Sequence, residues 1–142
     1  MNNKEHDEIV ERLKREQAEN KVMIMRKRAE EDMLDEDGYP TADALWCIQH
    51  WPWDDSTGWF EFIKSIWCLS SWGWCEGEKP HDWDKDKMTY RYDISTAGWS
   101  GNESVIEYME KNHMLWHLTW VQSRRGGHYI FEKKVFEDDA EV

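Results

Sequence analysis

Residues 88–131, MTYRYDISTAGWSGNESVIEYMEKNHMLWHLTWVQSRRGGHYIF, decide the fold of this chain. Met88, Tyr90, Tyr92 and Ile94 alternate with Thr89, Arg91 and Asp93, the period-2 pattern of a strand with one buried face. Val105, Ile106 and Met109 then share one side of a short helix running from Ser104 to Lys111 and ending near Asn112. Met114, Trp116, Leu118 and Trp120 alternate again, which predicts a second strand. Arg124 to Gly127 has hairpin-turn chemistry, and Tyr129 and Phe131 open a third strand reaching about Phe136. The order is strand–helix–strand–hairpin–strand. If the first two strands are parallel, as a right-handed crossover makes them, their C-terminal ends share one edge. Loop 95–102 and hairpin 123–128 are then expected to meet there, the edge that ligands of such sheets favour. An antiparallel arrangement across the helix would separate the two loops.

Those two segments carry the candidate site. The first offers the hydroxyls of Ser95, Thr96 and Ser100, with Ser100 or Asn102 as N-cap of the following helix. Its unpaired N–H groups and the positive end of the dipole suit an anion. The second offers the guanidiniums of Arg124 and Arg125, suited to bidentate contact with phosphate or carboxylate, and the titratable donor His128. Strand alternation lets at most one of the two arginines reach a common cavity. Trp99, inside the first loop, is placed to stack on a base or sugar. The competing reading is structural: a tight strand-to-helix turn, solvated turn arginines, and loop tryptophans folded over themselves. Neither the dinucleotide fingerprint nor the Walker loop is present.

Upstream, residues 6–34 lack Gly and Pro and read as one long helix. Its narrow apolar stripe (Ile9, Leu13, Val22, Met25, Ala29, Met33) fits equally a homo-oligomer contact and an arm docked on its own domain. Asp37-Gly38-Tyr39-Pro40 marks a turn and a boundary. Thr41 caps a short helix to about His50, which Pro52 prevents from continuing. Asp54-Asp55-Ser56 caps another, with Trp59, Phe62, Ile63, Ile66 and Trp67 on its apolar face. Residues 68–86 read as an irregular Trp-rich loop. The expected architecture is α+β: a helical arm (1–38), one domain (39–136) with two short helices and a small mixed sheet of about three strands in β-α-β-β order, and an acidic tail (137–142).

Composition narrows the partners. Eleven tryptophans among 142 residues supply the burial that 34% charged residues would otherwise preclude. The net charge of −12 falls as −4, −5, +1 and −4 over residues 1–38, 39–87, 88–136 and 137–142, so only the sheet region is close to neutral. This field disfavours duplex DNA yet leaves room for a compact anion in the third segment. It also suits an acidic surface engaging a basic protein.

Three cysteines without framework spacing fit a reducing compartment. The polar N-terminus is no signal peptide, and no apolar run approaches a membrane span. Cys68, Cys75, His81 and Asp82 offer ligand types without metal-site spacing, so neither a metal nor another cofactor is expected.

The stretch from Tyr92 to Phe131 resembles small proteins encoded by bacteriophages and prophages, an uncharacterised family, chiefly through ISTAGWSGNE and SRRGGHY. A weaker likeness extends upstream through DEDGYPTADAL. The family carries glycine where this chain has Ala97. The resemblance implies expression in the cytoplasm of an infected bacterium and transfers no catalytic residues. The functional expectation is non-catalytic binding of a phosphorylated or nucleotide-like ligand, with sequestration of a host defence signal as its use. Two alternatives stand beside it: an acidic, Trp-rich inhibitor or adaptor of a host protein, and a small nucleotide-processing enzyme using His128 as acid/base.

Overall fold

A computed structural model describes residues 2–134. Among the described residues there are six helices and four strands, in the order α1 (Asn3–Glu30), α2 (Ala42–His50), α3 (Ser56–Ile66), α4 (Ser70–Gly73), β1 (Trp74–Pro80), β2 (Met88–Ser95), α5 (Ser100–Lys111), α6 (His113–Thr119), β3 (Trp120–Arg124) and β4 (His128–Lys134). The strands form one sheet in the order β1-β2-β4-β3, and every pairing is antiparallel. The chain is therefore α+β, as its periodicities indicate, but the sheet is neither mixed nor three-stranded.

Two segments account for the difference. His113–Thr119 is a helix, and only Trp120–Arg124 is extended. Its alternating apolar residues suit either period over so short a run. The Asn112 side chain settles it locally, accepting from Leu115 N–H at 3.3 Å and donating to the carbonyls of Ile48 and Trp51 at 3.0 and 3.1 Å. This turns the chain into a helix whose Leu115 and Thr119, four residues apart, are buried. The second strand is therefore shorter and later than expected and is not paired with β2; β4 lies between them, and because each runs antiparallel to β4 the two still run parallel to each other across a crossover.

The second segment is β1, which lies within the stretch expected to be irregular. It pairs with β2 from Trp74↔Ile94 to Pro80↔Met88. Only Trp74 is buried there. Glu76, Glu78, Lys79 and Pro80 are residues that keep an edge strand from recruiting others.

One sheet face packs against helices. Trp74, Tyr92, Ile94 and Phe131 join Ile48, Trp59, Phe60, Ile63, Val105, Met109 and Leu115 in a single core. Phe60 stacks on Tyr92 with ring centroids 3.9 Å apart. Thr41 and Asp55 are N-caps as expected, accepting from Ala44 and Gly58 N–H. The long helix docks through its second half only. Ile24 is its one buried residue, Gln17 accepts from Trp53 N–H, and Lys27 reaches Asp43 at 2.7 Å. Arg28 lies over the Trp51 and Phe62 rings. That is arm-on-domain docking, while Leu13, Val22 and Met25 remain exposed. The acidic tail lies outside the described residues. No helix among the described residues is long and apolar enough to cross a membrane.

Candidate functional site

Alternation along β2 puts Tyr92 and Ile94 against the helices and turns Arg91, Asp93 and Ser95 to the opposite face. The register then extends that face sideways. Ser95 is paired directly with His128 on β4, and His128 with Arg124 on β3. Residues directly opposite in antiparallel strands point to the same side with Cβ atoms about 4.5–5.5 Å apart. Ser95, His128 and Arg124 thus form one row across three strands: a hydroxyl, an imidazole and a guanidinium.

Beneath the row lies a charged pair absent from the expected site. Arg91 makes a fork-like contact with Asp93, at 3.0 Å from Nε to Oδ2 and 3.2 Å from Nη2 to Oδ1. His128 Nε2 stands 3.5 Å from Asp93 Oδ1. Asp93 thus stands beside the His128 ring with its carboxylate already forked to the Arg91 guanidinium. Alternation alone would have put Arg91 and Asp93 beside Ser95. The period alone does not show that they pair with each other or that Asp93 stands beside His128.

β2 and β3 run in the same direction, each antiparallel to the β4 between them, so their C-terminal ends and the two loops meet at one edge. The C-terminal end of β2 abuts the start of β4, and Thr96 N–H donates to Gly127 C=O at 2.9 Å. Gly126 and Gly127 hold φ of +93° and +78°, as a tight hairpin tip requires. At Gly127 a Cβ would also collide with Thr96 Oγ1. The close approach of the loops therefore depends on that glycine.

Several expected ligand donors are spent inside the protein. Asn102 is fully buried: its Oδ1 accepts from Cys68 N–H at 2.9 Å, and its Nδ2 donates to the carbonyls of Cys68 and Thr96 at 3.0 and 3.4 Å. Its amide ties the turn after α3 to the β2–α5 loop and is not free for an anion. Thr96 is likewise buried, with Oγ1 accepting from Gly98 N–H. The N-cap of α5 is Trp99, neither Ser100 nor Asn102, and it makes no side-chain capping bond. The Trp99 ring stacks on Tyr39 at 4.6 Å and lies against Gly101 in the first helical turn. A base stacking on Trp99 would have to use the face that Tyr39 leaves. Ser100 is exposed, Arg124 reaches Gln122 Oε1 at 3.3 Å as its one side-chain partner among the described residues, and Arg125 sits exposed at the hairpin tip.

The structure thus separates the eight expected residues into an accessible set (Ser95, Ser100, Arg124, Arg125, His128) and a scaffold (Thr96, Asn102, with Trp99 half-buried between them). Among the described residues, no group of three or more His, Cys, Asp or Glu side chains is arranged to hold a metal ion. No family model, no curated protein and no solved structure matches this chain.

Proposed function

We propose that this protein binds, without turning it over, a phosphorylated or nucleotide-like ligand through the row Ser95–His128–Arg124. The observation that carries the reading is the register itself, which lines up a hydroxyl, an imidazole 3.5 Å from Asp93, and a guanidinium with no carboxylate partner among the described residues. A phosphorylated group laid along such a row would accept from the three through different oxygens. Arg125, exposed beside it at the tip, would strengthen the local field. The near-neutral charge of this third of the chain is compatible with an anion despite the net charge of −12. In the setting the resemblance implies, the role is a phage accessory protein that sequesters a host signal.

Isothermal titration with pyrophosphate, AMP and ADP tests the reading. A charged hydrogen bond is worth roughly 1.5–3 kcal/mol, so Arg124→Gln is expected to weaken binding about 10- to 100-fold. Binding unchanged in Arg124→Gln and His128→Ala would remove the row from the account. Conversion of a nucleotide, lost in His128→Ala with binding retained, would favour the enzyme alternative.

One observation favours the protein-binding alternative. Trp83, 92% exposed, stands among Asp82, Asp84 and Asp86 in the β1–β2 connection, and Trp72 is 69% exposed. A large aromatic flanked by acids is suited to anchoring on a basic partner. Loss of a host-protein complex on Trp83→Ala, with Arg124→Gln silent, would support that use.

A further inference from the structure

The segment whose alternation suggests a strand, and which the fold makes a helix, carries two histidines. His113 and His117 stand four residues apart on α6. In an extended strand that spacing would hold the two imidazoles about 13 Å apart, too far to share one ion. In a helix, positions i and i+4 are neighbours on one face, with Cβ atoms about 5–6 Å apart. The change of secondary structure therefore turns two separate side chains into a pair.

The rest of α6 fixes where that pair points. Seven residues are too few for a helix to hold itself in water, so the core sets its orientation. Leu115 and Thr119 are buried, Thr119 Oγ1 donates to Leu115 C=O at 2.6 Å, and the Asn112 cap is tied to the carbonyls of Ile48 and Trp51. At 3.6 residues per turn, the two histidines lie roughly 160° around the helix from the centre of that buried edge. Both are accordingly exposed. His50, His81 and His128 each have a polar partner, whereas none is found for His113 or His117 among the described residues.

We propose that His113 and His117 chelate a divalent transition-metal cation of the kind imidazole favours: Ni²⁺, Cu²⁺ or Zn²⁺. Each ring supplies one nitrogen, at about 2.0–2.1 Å for zinc. Because both are mounted on one anchored helix, binding by the first holds the second at high effective concentration. No third His, Cys, Asp or Glu joins them among the described residues, so water fills the remaining coordination positions. The site is therefore open and exchangeable, unlike a structural zinc site closed by four protein ligands. Mg²⁺ and Ca²⁺, which seek oxygen ligands, find none of their own there. Leu115 belongs to the core under the helices, so α6 lies on the side of the sheet opposite Ser95–His128–Arg124, and the proposal is independent of that row.

Nickel alone is the probe. Full-length ¹⁵N-labelled protein without an added histidine tag is titrated with NiCl₂ at pH 7.5, and paramagnetic broadening of the amide signals locates the ion. The amides of residues 113–118 are expected to broaden first. Isothermal titration then compares affinities, and His117→Ala is expected to weaken the site at least about tenfold by removing the chelate. Combining His117→Ala with Leu118→His keeps all six imidazoles but breaks the spacing. Both positions are exposed, so the far-UV spectrum should not change, and binding should be as weak as in His117→Ala alone. Broadening that begins around His6, His50, His81 or His128 would overturn the proposal. So would a spacing variant that binds as tightly as the wild type, or an equal response to MgCl₂.

Discussion

Ala97 is held at φ 55°, where a Cβ crowds the following carbonyl. The left-handed conformation costs an L-residue about 1–2 kcal/mol, which glycine avoids at a smaller entropic cost. Ala97→Gly is therefore expected to raise stability by about 0.5–1 kcal/mol in urea unfolding; a loss would show that the Ala97 methyl makes contacts that outweigh its strain. Gly127 is the converse case, since its φ of +78° and the nearby Thr96 Oγ1 both oppose a side chain. Gly127→Ala should destabilise by about 2 kcal/mol or more and disturb the hairpin against the β2–α5 loop; a neutral result would mean the loops are not held together there. Cys47 gives a pH signature. Burial, foremost, raises its thiol from 9.0 to about 11, with Lys27 and Arg28 opposing. The folded state thus holds this proton more tightly than the unfolded chain. Its contribution is complete below pH 9 and is lost as pH climbs from 9 to 11, at up to about 1.4 kcal/mol per pH unit. Urea titrations from pH 8 to 11 should show a steeper decline in the wild type than in Cys47→Ala, and equal slopes would contradict this. Residue types were legible at this scale, but direction was not. Asn102 reads as a donor at a helix start, and only the fold reveals that its amide turns inward to Cys68.

The elements were legible where one period dominated. Thr41 and Asp55 announce α2 and α3, the Tyr90–Tyr92–Ile94 alternation announces β2, and Val105–Ile106–Met109 announces α5. His113–Thr119 was not, because seven residues that are mostly apolar satisfy both periods and a side chain 61 to 64 residues from its bonded carbonyls breaks the tie. Strand β1 was hidden for another reason: an edge strand that buries one tryptophan carries almost no alternation. The long helix was visible, but its partner was not. Ile24 is the single buried residue of α1, so it is the test of docking. Ile24→Ala should cost about 2–4 kcal/mol in thermal unfolding, as large-to-small changes in cores do. A change below about 0.5 kcal/mol would mean that the arm stabilises something other than its own domain.

At the scale of the whole molecule, the two loops meet because the C-terminal ends of β2 and β3 lie at one edge of the sheet, with β4 inserted between them. The parallel β2 and β3 bring them together as two strand C-termini, and the start of β4 pairs with both, Ser95 on one side and Arg124 on the other. The glycines and arginines of the hairpin fixed where the turn falls, so its proximity to Ser95 survived the change in sheet. What the sequence could not show was which face of that sheet the row would occupy, or that Asp93 would stand under His128. The measurement that tests the account most directly is an amide-shift map of ¹⁵N-labelled protein titrated with pyrophosphate. Saturable shifts centred on Ser95, Arg124 and His128, abolished in Arg124→Gln, are predicted. Shifts absent there, or confined to the acidic β1–β2 connection, would contradict it.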